Sequence, residues 1–155
     1  MQYLQQDCQL TLQQGLDEYN KSYPFLNNND GHAEASKWFK NHDITHVIFG
    51  TVPFDIRGES INDTWTLFGS DVTFKGYKEF FKYVDYKTVI NSYIKKYKTK
   101  SRVYLKMATY IPDCLIAFYR AKRMSKKWHW YHYDEYLNMP LAQLRKEFNI
   151  NVMKS

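Results

Sequence analysis

The sequence predicts an all-α fold, a compact single domain over residues 1–155 with about six or seven helices. Apolar residues recur at helical spacing along most of the chain, as Ile61, Trp65 and Phe68 do at i, i+4 and i+7. No segment shows a persuasive strand-like alternation, and the chain has no internal repeat. A chain of 155 residues with 44% hydrophobic side chains is long enough to bury one core.

The first predicted helix covers residues 9–19, where leucines are interrupted by glutamines. The segment 23–32, YPFLNNNDGH, is typical of a loop because it combines proline, three asparagines and Asp-Gly. We expect the second helix to begin near Ala33 and to end at Phe49, because Gly50 is a natural helix stop.

A turn or short irregular loop is expected over residues 51–58, and Glu59 then opens the third helix. Gly69 ends that helix. The segment 74–98 carries spaced aromatic and aliphatic residues that predict two helical pieces.

In the second half of the chain, the sequence predicts two further helices. Residues 101–124 read as one long helix that is bent near Pro112. Residues 141–150, LAQLRKEFNI, form a closing helix because Leu141, Leu144 and Phe148 share one face.

Charge and cysteine content restrict the class of protein. The net charge of +6 and the pI of about 9.1 favour acidic partners, such as nucleic acid, anionic lipid or an anionic substrate. Two cysteines without a CxxC motif exclude a disulfide framework and a thiolate zinc site. The start has no signal-peptide pattern, and the longest apolar run, residues 114–119, is far short of a membrane span. We therefore expect a cytoplasmic protein that can touch a membrane without crossing it.

The segment 38–50, WFKNHDITHVIFG, contains a candidate metal site. His42 and His46 are four residues apart, so a helix stacks their imidazoles on one face, where both can bind one metal ion as in HExxH. A third ligand is needed. Asp43 is one candidate, either as a flanking ligand or as an acceptor that fixes an imidazole tautomer, and Glu59 is the other.

Each of these residues also has an ordinary structural explanation. Histidines on an apolar helix face are often hydrogen-bonded core residues. Asp43 can be a cap or an ion-pair partner, and Glu59 a solvated carboxylate favoured by the helix dipole. Spacing alone does not decide between these alternatives.

Two basic, aromatic stretches suggest interaction surfaces. The stretch KKWHWYHY, residues 126–133, is compatible with a membrane-interface anchor in which Trp128 and Trp130 reach headgroup depth beside Lys126 and Lys127. The alternative is a set of core and surface aromatics around a bend. The stretch 93–102 has a composition that can bind single-stranded nucleic acid, but no nucleic-acid motif accompanies it, so we predict no nucleic-acid partner.

The motif HDITHVIFG…RGE resembles the HDxxH…GE signature of the fourth ubiquinone (coenzyme Q) biosynthesis protein, the Coq-four family. The similarity includes Gly50 and Gly58, although the loop before Glu59 is one residue longer here. The tail MPLAQLRKEFNI, residues 139–150, is similar to the family's closing PLxxLRxExGI helix, with Asn149 where the family often has glycine. The matching segments cover about 30–69 and 113–150.

The resemblance implies an all-helical fold and a bound divalent metal, commonly zinc. The ligand set itself, with few thiols and at least one carboxylate, does not select zinc over iron or manganese. It implies that the metal ligands are His42, Asp43, His46 and Glu59. It implies a prenylated hydroxybenzoate-type substrate, removal of its C1 carboxyl with hydroxylation at that carbon, and association with other ubiquinone-biosynthesis enzymes at the inner face of a membrane. A homo-oligomer is compatible with it.

Two other functions remain open at this point. One is a non-catalytic protein that holds a prenyl lipid and scaffolds partner enzymes around a structural metal. The other is a small phosphohydrolase of the HD type, given the His42-Asp43 dyad. That class needs a further upstream histidine, and His32 is too close in sequence for a comfortable match.

Overall fold

The computed structural model of the chain describes residues 1–23, 33–78 and 84–153. Within these ranges the chain forms eight α-helices, two short 3-10 turns and no strand, with only isolated bridges joining Thr11 to Pro140 and Ser70 to Trp128. The all-α prediction is confirmed. The helices are α1 (Leu12–Ser22), α2 (Ala33–Phe49), α3 (Ile56–Gly69), α4 (Phe74–Lys78), α5 (Val84–Tyr97), α6 (Lys100–Ala108), α7 (Ile111–Lys122) and α8 (Leu141–Phe148).

Helix α1 begins three residues later than predicted. Thr11 caps it in a reciprocal capping box with Gln14. The residues before Thr11 are held elsewhere, because the Cys8 and Leu10 carbonyls accept hydrogen bonds from backbone amides of residues 141–142. The N-terminal segment is therefore tied to the start of α8.

Helix α2 has the predicted bounds. Its C-terminal end is closed by Gly50, whose φ of +64° is left-handed, and by the Thr51 amide, which donates to the His46 carbonyl at 2.9 Å. This is the Schellman arrangement that glycine favours. The predicted loop lies almost entirely outside the described residues, as residues 24–32 are not among them.

Helix α3 begins at Ile56, so the prediction that Glu59 opens it is wrong by three residues. Asp55 is the cap, and its side chain accepts hydrogen bonds from the Arg57 and Gly58 amides. Gly58 is required at this point because a Cβ there would lie 1.9 Å from the Val52 carbonyl oxygen. The preceding loop thus packs directly on the first turn of α3.

The predicted long helix over residues 101–124 is two helices, α6 and α7, separated at Thr109 and Tyr110. Pro112 lies in the first turn of α7, where its missing amide hydrogen breaks no helical hydrogen bond. The segment 74–98 does contain two helices, as predicted. Helix α8 ends at Asn149, whose φ of +54° is the left-handed cap that asparagine tolerates.

The core lies where α1, α2, α3 and α7 meet, with α2 between α1 and α3 and with α7 along α3. Its centre includes Phe49 and Trp65, whose rings stack with centroids 5.0 Å apart. Arg145 of α8 is also fully buried, and its guanidinium donates to the carbonyls of Tyr3, Gln5, Val47 and Ile48. Within the described part of the chain, no helix combines the length and the apolar character that crossing a bilayer demands.

Candidate metal centre

The C-terminal half of α2 and the first turn of α3 bring His42, His46 and Glu59 together. Each offers one ligand atom, and these atoms all lie within 4.8 Å of one another. Glu59 Oε2 is 3.4 Å from His46 Nε2 and 3.8 Å from His42 Nε2. The loop between α2 and α3 thus brings the Glu59 carboxylate close to both histidines.

His46 is fully buried, and its Nε2 atom has no hydrogen-bond partner among the described residues. Its Nδ1 atom lies 2.9 Å from the Thr51 hydroxyl, which the Gly50 turn folds back over the end of α2. The ring also stacks on Tyr19 of α1, with centroids 5.9 Å apart. One imidazole nitrogen is thus anchored, and the other faces Glu59.

A chain of hydrogen bonds fixes the tautomer of neutral His46. The Thr45 hydroxyl donates to the His42 carbonyl, so it can only accept from Asn62 Nδ2. This orients the Asn62 amide, and its Oδ1 accepts the hydroxyl proton of Thr51 at 3.0 Å. Thr51 must then accept from His46 Nδ1–H, which leaves the lone pair on Nε2. That lone pair is the one a metal ion requires.

Glu59 is held from both sides. Its Oε1 atom accepts a 2.7 Å hydrogen bond from the Phe54 amide, while Oε2 faces the histidines. Phe54 has a φ of +59°, a strained value for an aromatic residue that commonly marks a functional segment. Burial opposes ionisation, but interaction with His46 and His42 and the Phe54 hydrogen bond lower the Glu59 pKa to about 2.

His42 lies at the more open side of the cluster. Its ring stacks on Trp38 with centroids 5.2 Å apart, and its Nε2 lies 3.8 Å from both Glu59 and Asp63. Burial would lower the His42 pKa, but the Asp63 interaction and the negative charge of Glu59 raise it overall. The Asp63 side chain is 47% exposed and accepts a short hydrogen bond from Tyr77.

Asp43 lies outside the group of ligand atoms, so the geometry does not support its predicted role as a ligand. Successive helix residues are rotated by about 100°, and Asp43 accordingly points toward α1. There it accepts a 2.8 Å hydrogen bond from the Tyr19 hydroxyl. Burial raises the pKa of Asp43. Since Tyr19 also stacks on His46, Asp43 helps to position the ring that packs against His46.

Three polar residues of this site were not predicted. Asn62 and Asp63 follow Glu59 by three and four residues, so the helical spacing of α3 could have placed them on its face. Thr51 follows the Gly50 stop, but only the observed turn shows that its hydroxyl returns to His46.

The predicted membrane anchor at residues 126–133 is not formed. Trp128 and Trp130 are both 0% exposed and pack in the core. Lys126 pairs with Glu147 of α8, and Lys127 is exposed without exposed tryptophans beside it. The alternative interpretation, core aromatics around a bend, describes these tryptophans correctly.

A cavity of about 170 Å³ lies beside the loop between α2 and α3. Thr51, Gly58 and Arg57 are among its lining residues, but His42, His46 and Glu59 are not. The cavity therefore does not mark a substrate position next to the three ligands.

No protein-family model matches this chain, and neither the curated proteins nor the solved structures contain a match. The resemblance to the Coq-four family thus rests on the sequence motifs themselves. What the geometry adds is a pair of imidazoles and a carboxylate arranged as one group, with Asp43 and Asp63 nearby. In a protein of net charge +6, three carboxylates around two imidazoles form a local site suited to a cation.

Proposed function

We propose that the chain binds a divalent metal ion through His42 Nε2, His46 Nε2 and a carboxylate oxygen of Glu59. The observation that carries this proposal is the convergence of three ligand atoms within 4.8 Å of one another, with His46 fully buried and its Nε2 atom 3.4 Å from Glu59 Oε2. This contact is longer than an ordinary hydrogen bond, and a metal ion would give both atoms a closer partner. Three such ligands leave a position open for water or substrate.

Zinc is the metal that this proposal favours. Two imidazoles and one carboxylate match the ligand sets of zinc sites that keep an open position. The same donors also suit iron and manganese, because no thiolate is present to select a softer metal.

On the strength of the sequence motifs, we propose further that the protein acts in ubiquinone-type biosynthesis. The substrate is a prenylated hydroxybenzoate-type precursor, and the reaction removes its C1 carboxyl with hydroxylation at that carbon. The carboxyl group leaves as CO2, and dioxygen is the oxidant for this two-electron step. A bound metal supplies Lewis-acid stabilisation of negative charge on the aromatic ring.

The residues of the chain have distinct tasks in this proposal. Tyr19 and Trp38 cover the two imidazoles with aromatic rings and so limit the access of water. Asn62 and Thr51 hold the His46 lone pair toward the metal. Asp63, half exposed beside His42, lies on the side from which an aromatic head group can approach.

A non-catalytic prenyl-lipid-binding scaffold is the second candidate. The observation that favours it is that the three ligand residues do not line the cavity found beside them. The HD-type phosphohydrolase ranks last, because that dyad needs the aspartate at the metal and Asp43 instead accepts from Tyr19.

The metal site is tested by metal analysis of protein purified without chelator. We expect wild-type protein to carry close to one equivalent of metal, and a His42→Ala/His46→Ala variant to carry almost none. A His129→Ala variant is the matched control, since His129 lies beside Asp71 on another surface. Equal metal content in all three proteins would contradict the proposed metal site.

The biosynthetic role is tested by complementation of a strain that lacks the corresponding ubiquinone-biosynthesis enzyme. We expect the wild type and a Glu147→Ala control to restore ubiquinone, and Glu59→Ala to fail. If Glu59→Ala restores ubiquinone as well as wild type does, the catalytic role of the centre is wrong. A scaffold would retain prenyl-lipid binding, measured on purified protein, but give no turnover.

A further inference from the structure

Large apolar side chains are exposed on two consecutive helices, α6 and α7. Most of the strongly exposed large hydrophobic residues in the described ranges lie here, and six of them are between 44% and 68% exposed: Tyr104, Leu105, Ile111, Leu115, Ile116 and Tyr119. We call these six residues the α6–α7 surface. Single exposed apolar residues are normal in soluble proteins, but a concentration of this kind marks an interaction site.

Helix α7 shows that this exposure is built into the fold. Ile111, Leu115 and Tyr119 follow one another at intervals of four residues, so they form one outward stripe. Ala117 and Ala121 face the core on the opposite side and are at most 2% exposed. The helix thus turns its small residues inward, where it packs along α3, and its large residues outward.

Basic residues flank the surface at both of its ends. Lys100 and Arg102 are exposed at the start of α6, and Lys122 and Arg123 are exposed at the end of α7. The sequence from residue 100 to residue 123 contains a single acidic residue, Asp113. Its carboxylate forms a 2.7 Å ion pair with Arg57, so it does not offset the flanking charges.

We propose that the α6–α7 surface binds the face of a bilayer that contains anionic phospholipids. The aliphatic residues and Tyr119 enter the boundary between headgroups and acyl chains, and the flanking lysines and arginines contact the lipid phosphates. This inference does not depend on the metal centre.

Charge and side-chain type favour an anionic membrane over two other partners, a second copy of the chain and single-stranded nucleic acid. A second copy of the chain would bring the same basic residues against each other, which opposes self-association through this surface. Single-stranded nucleic acid binds to basic grooves through stacked aromatic rings, whereas four of the six residues here are aliphatic. Two consecutive helices with exposed apolar residues and exposed basic residues at their ends match an anionic membrane.

Flotation with lipid vesicles tests the proposal. The probes are vesicles of phosphatidylcholine alone and vesicles that also contain phosphatidylglycerol, each at low and at physiological salt. We expect the full chain to float with the anionic vesicles, more strongly at low salt, and to bind neutral vesicles at least tenfold more weakly.

Two pairs of variants locate the contact. Leu115→Ser/Tyr119→Ser should lower binding to anionic vesicles at least tenfold, while Phe74→Ser/Tyr131→Ser, at exposed positions elsewhere, should bind as the wild type does. Lys100→Ala/Arg102→Ala should lower binding to anionic vesicles and make that binding less dependent on salt. Lys21→Ala/Lys146→Ala should change neither. Circular dichroism and thermal melting establish that each variant is folded.

Several results would overturn the proposal. One is that folded Leu115→Ser/Tyr119→Ser floats as the wild type does. Another is a wild-type dimer that this variant converts to monomer, which would make the surface a self-association site. A third is binding of single-stranded RNA that this variant abolishes while vesicle binding is absent. The His42→Ala/His46→Ala protein should still float, so failure of the metal site and failure of this proposal are distinguishable.

Discussion

Thr51 and Asn62 carry no charge and are not metal ligands in our proposal, yet they determine which nitrogen of neutral His46 is free. The Thr51 hydroxyl donates its hydrogen bond to Asn62 Oδ1, so it accepts one from His46 Nδ1–H. Partners of this kind fix both the orientation and the tautomer of a ligating imidazole. The site therefore depends on buried hydroxyl and amide groups as much as on its three ligands.

Removal of the Thr51 hydroxyl should weaken metal binding without a large change in shape. We expect Thr51→Val to lower metal affinity by about 10–100-fold, because His46 Nδ1–H loses its acceptor. The measurement is competition with a chelating dye. Thr64→Val is the control, since the Thr64 hydroxyl donates to Ser60 on its own helix. Equal affinities of Thr51→Val and wild type would contradict the hydrogen-bond chain.

The depressed pKa of Glu59 predicts how acid affects the metal-free protein. The pKa is lowered from 4.5 to about 2, so ionised Glu59 stabilises the folded state above pH 4.5. That contribution is lost as the pH falls from about 4.5 to 2. A shift of this size corresponds to roughly 3 kcal/mol as an order of magnitude.

We expect the difference in unfolding free energy between wild type and Glu59→Gln to shrink over this pH range. Urea unfolding in the presence of a chelator measures it at each pH. Glu147→Gln, which alters a half-exposed carboxylate, serves as the control. A wild-type advantage that stays constant from pH 5 to pH 2.5 would show that the histidines do not stabilise the Glu59 carboxylate.

At the scale of the elements, the site is the meeting of two helix ends. The C-terminal half of α2 supplies both histidines, and the first turn of α3 supplies Glu59. The connecting loop is short and tight, with left-handed residues at Gly50 and Phe54. Gly58 lets this loop lie directly against α3, which gives a physical reason for glycine before the glutamate in the motif.

A methyl group at Gly58 should therefore displace the loop. The contact at 1.9 Å is to the backbone oxygen of Val52, so the neighbour cannot simply rotate away. We expect Gly58→Ala to cost about 1–3 kcal/mol of stability and to weaken metal binding through Glu59. Gly76→Ala is the matched control in α4, because its closest contact is a threonine side chain at 3.2 Å. Calorimetric melting with and without metal compares the two.

The bounds of the helices could be predicted only where a local signal sets them. Gly50 ends α2 as expected because a left-handed turn favours glycine. The start of α3 was missed because its cap, Asp55, is indistinguishable in sequence from an ordinary loop aspartate. The break between α6 and α7 falls at Thr109 and Tyr110, neither of which is a strong helix breaker.

Long-range packing explains the remaining differences between prediction and structure. Spacing predicted the pair His42 and His46, and Glu59 was one of two candidates for the third ligand, because these contacts depend on one helix and a short loop. The two interpretations of Trp128 and Trp130 could not be separated from the sequence, because the burial of these tryptophans depends on contacts with residues far away in sequence. The Trp130 amide, for example, donates to Asp71, and the Trp128 amide donates to the Gly69 carbonyl.

At the scale of the whole molecule, Arg145 connects two motifs of the sequence, the one around His42 and the one in α8. Its guanidinium donates to the carbonyls at the end of α2 and to Tyr3 and Gln5 of the N-terminal segment. Burial lowers its pKa to about 10, so it stays charged at neutral pH. A cation at the C-terminal end of α2 also interacts favourably with the helix dipole.

Replacement of Arg145 should destabilise the entire fold. Arg145→Met keeps much of the side-chain volume but leaves several buried carbonyls without a donor, which we expect to cost roughly 3 kcal/mol or more. The exposed neighbour Lys146→Met should change stability by less than about 0.5 kcal/mol. Urea denaturation measures both. A loss below 1 kcal/mol in Arg145→Met would mean that water replaces the guanidinium at those carbonyls.

The position of Arg145 also has a consequence for protein synthesis. The α2 carbonyls that it binds precede it by 97 and 98 residues. While the ribosome is still holding α8, the end of α2 that carries His46 lacks this donor, and residues 8–10 lack their partners at 141–142. The end of α2, where the proposed ligand His46 lies, therefore acquires these buried hydrogen bonds only after α8 has left the ribosome.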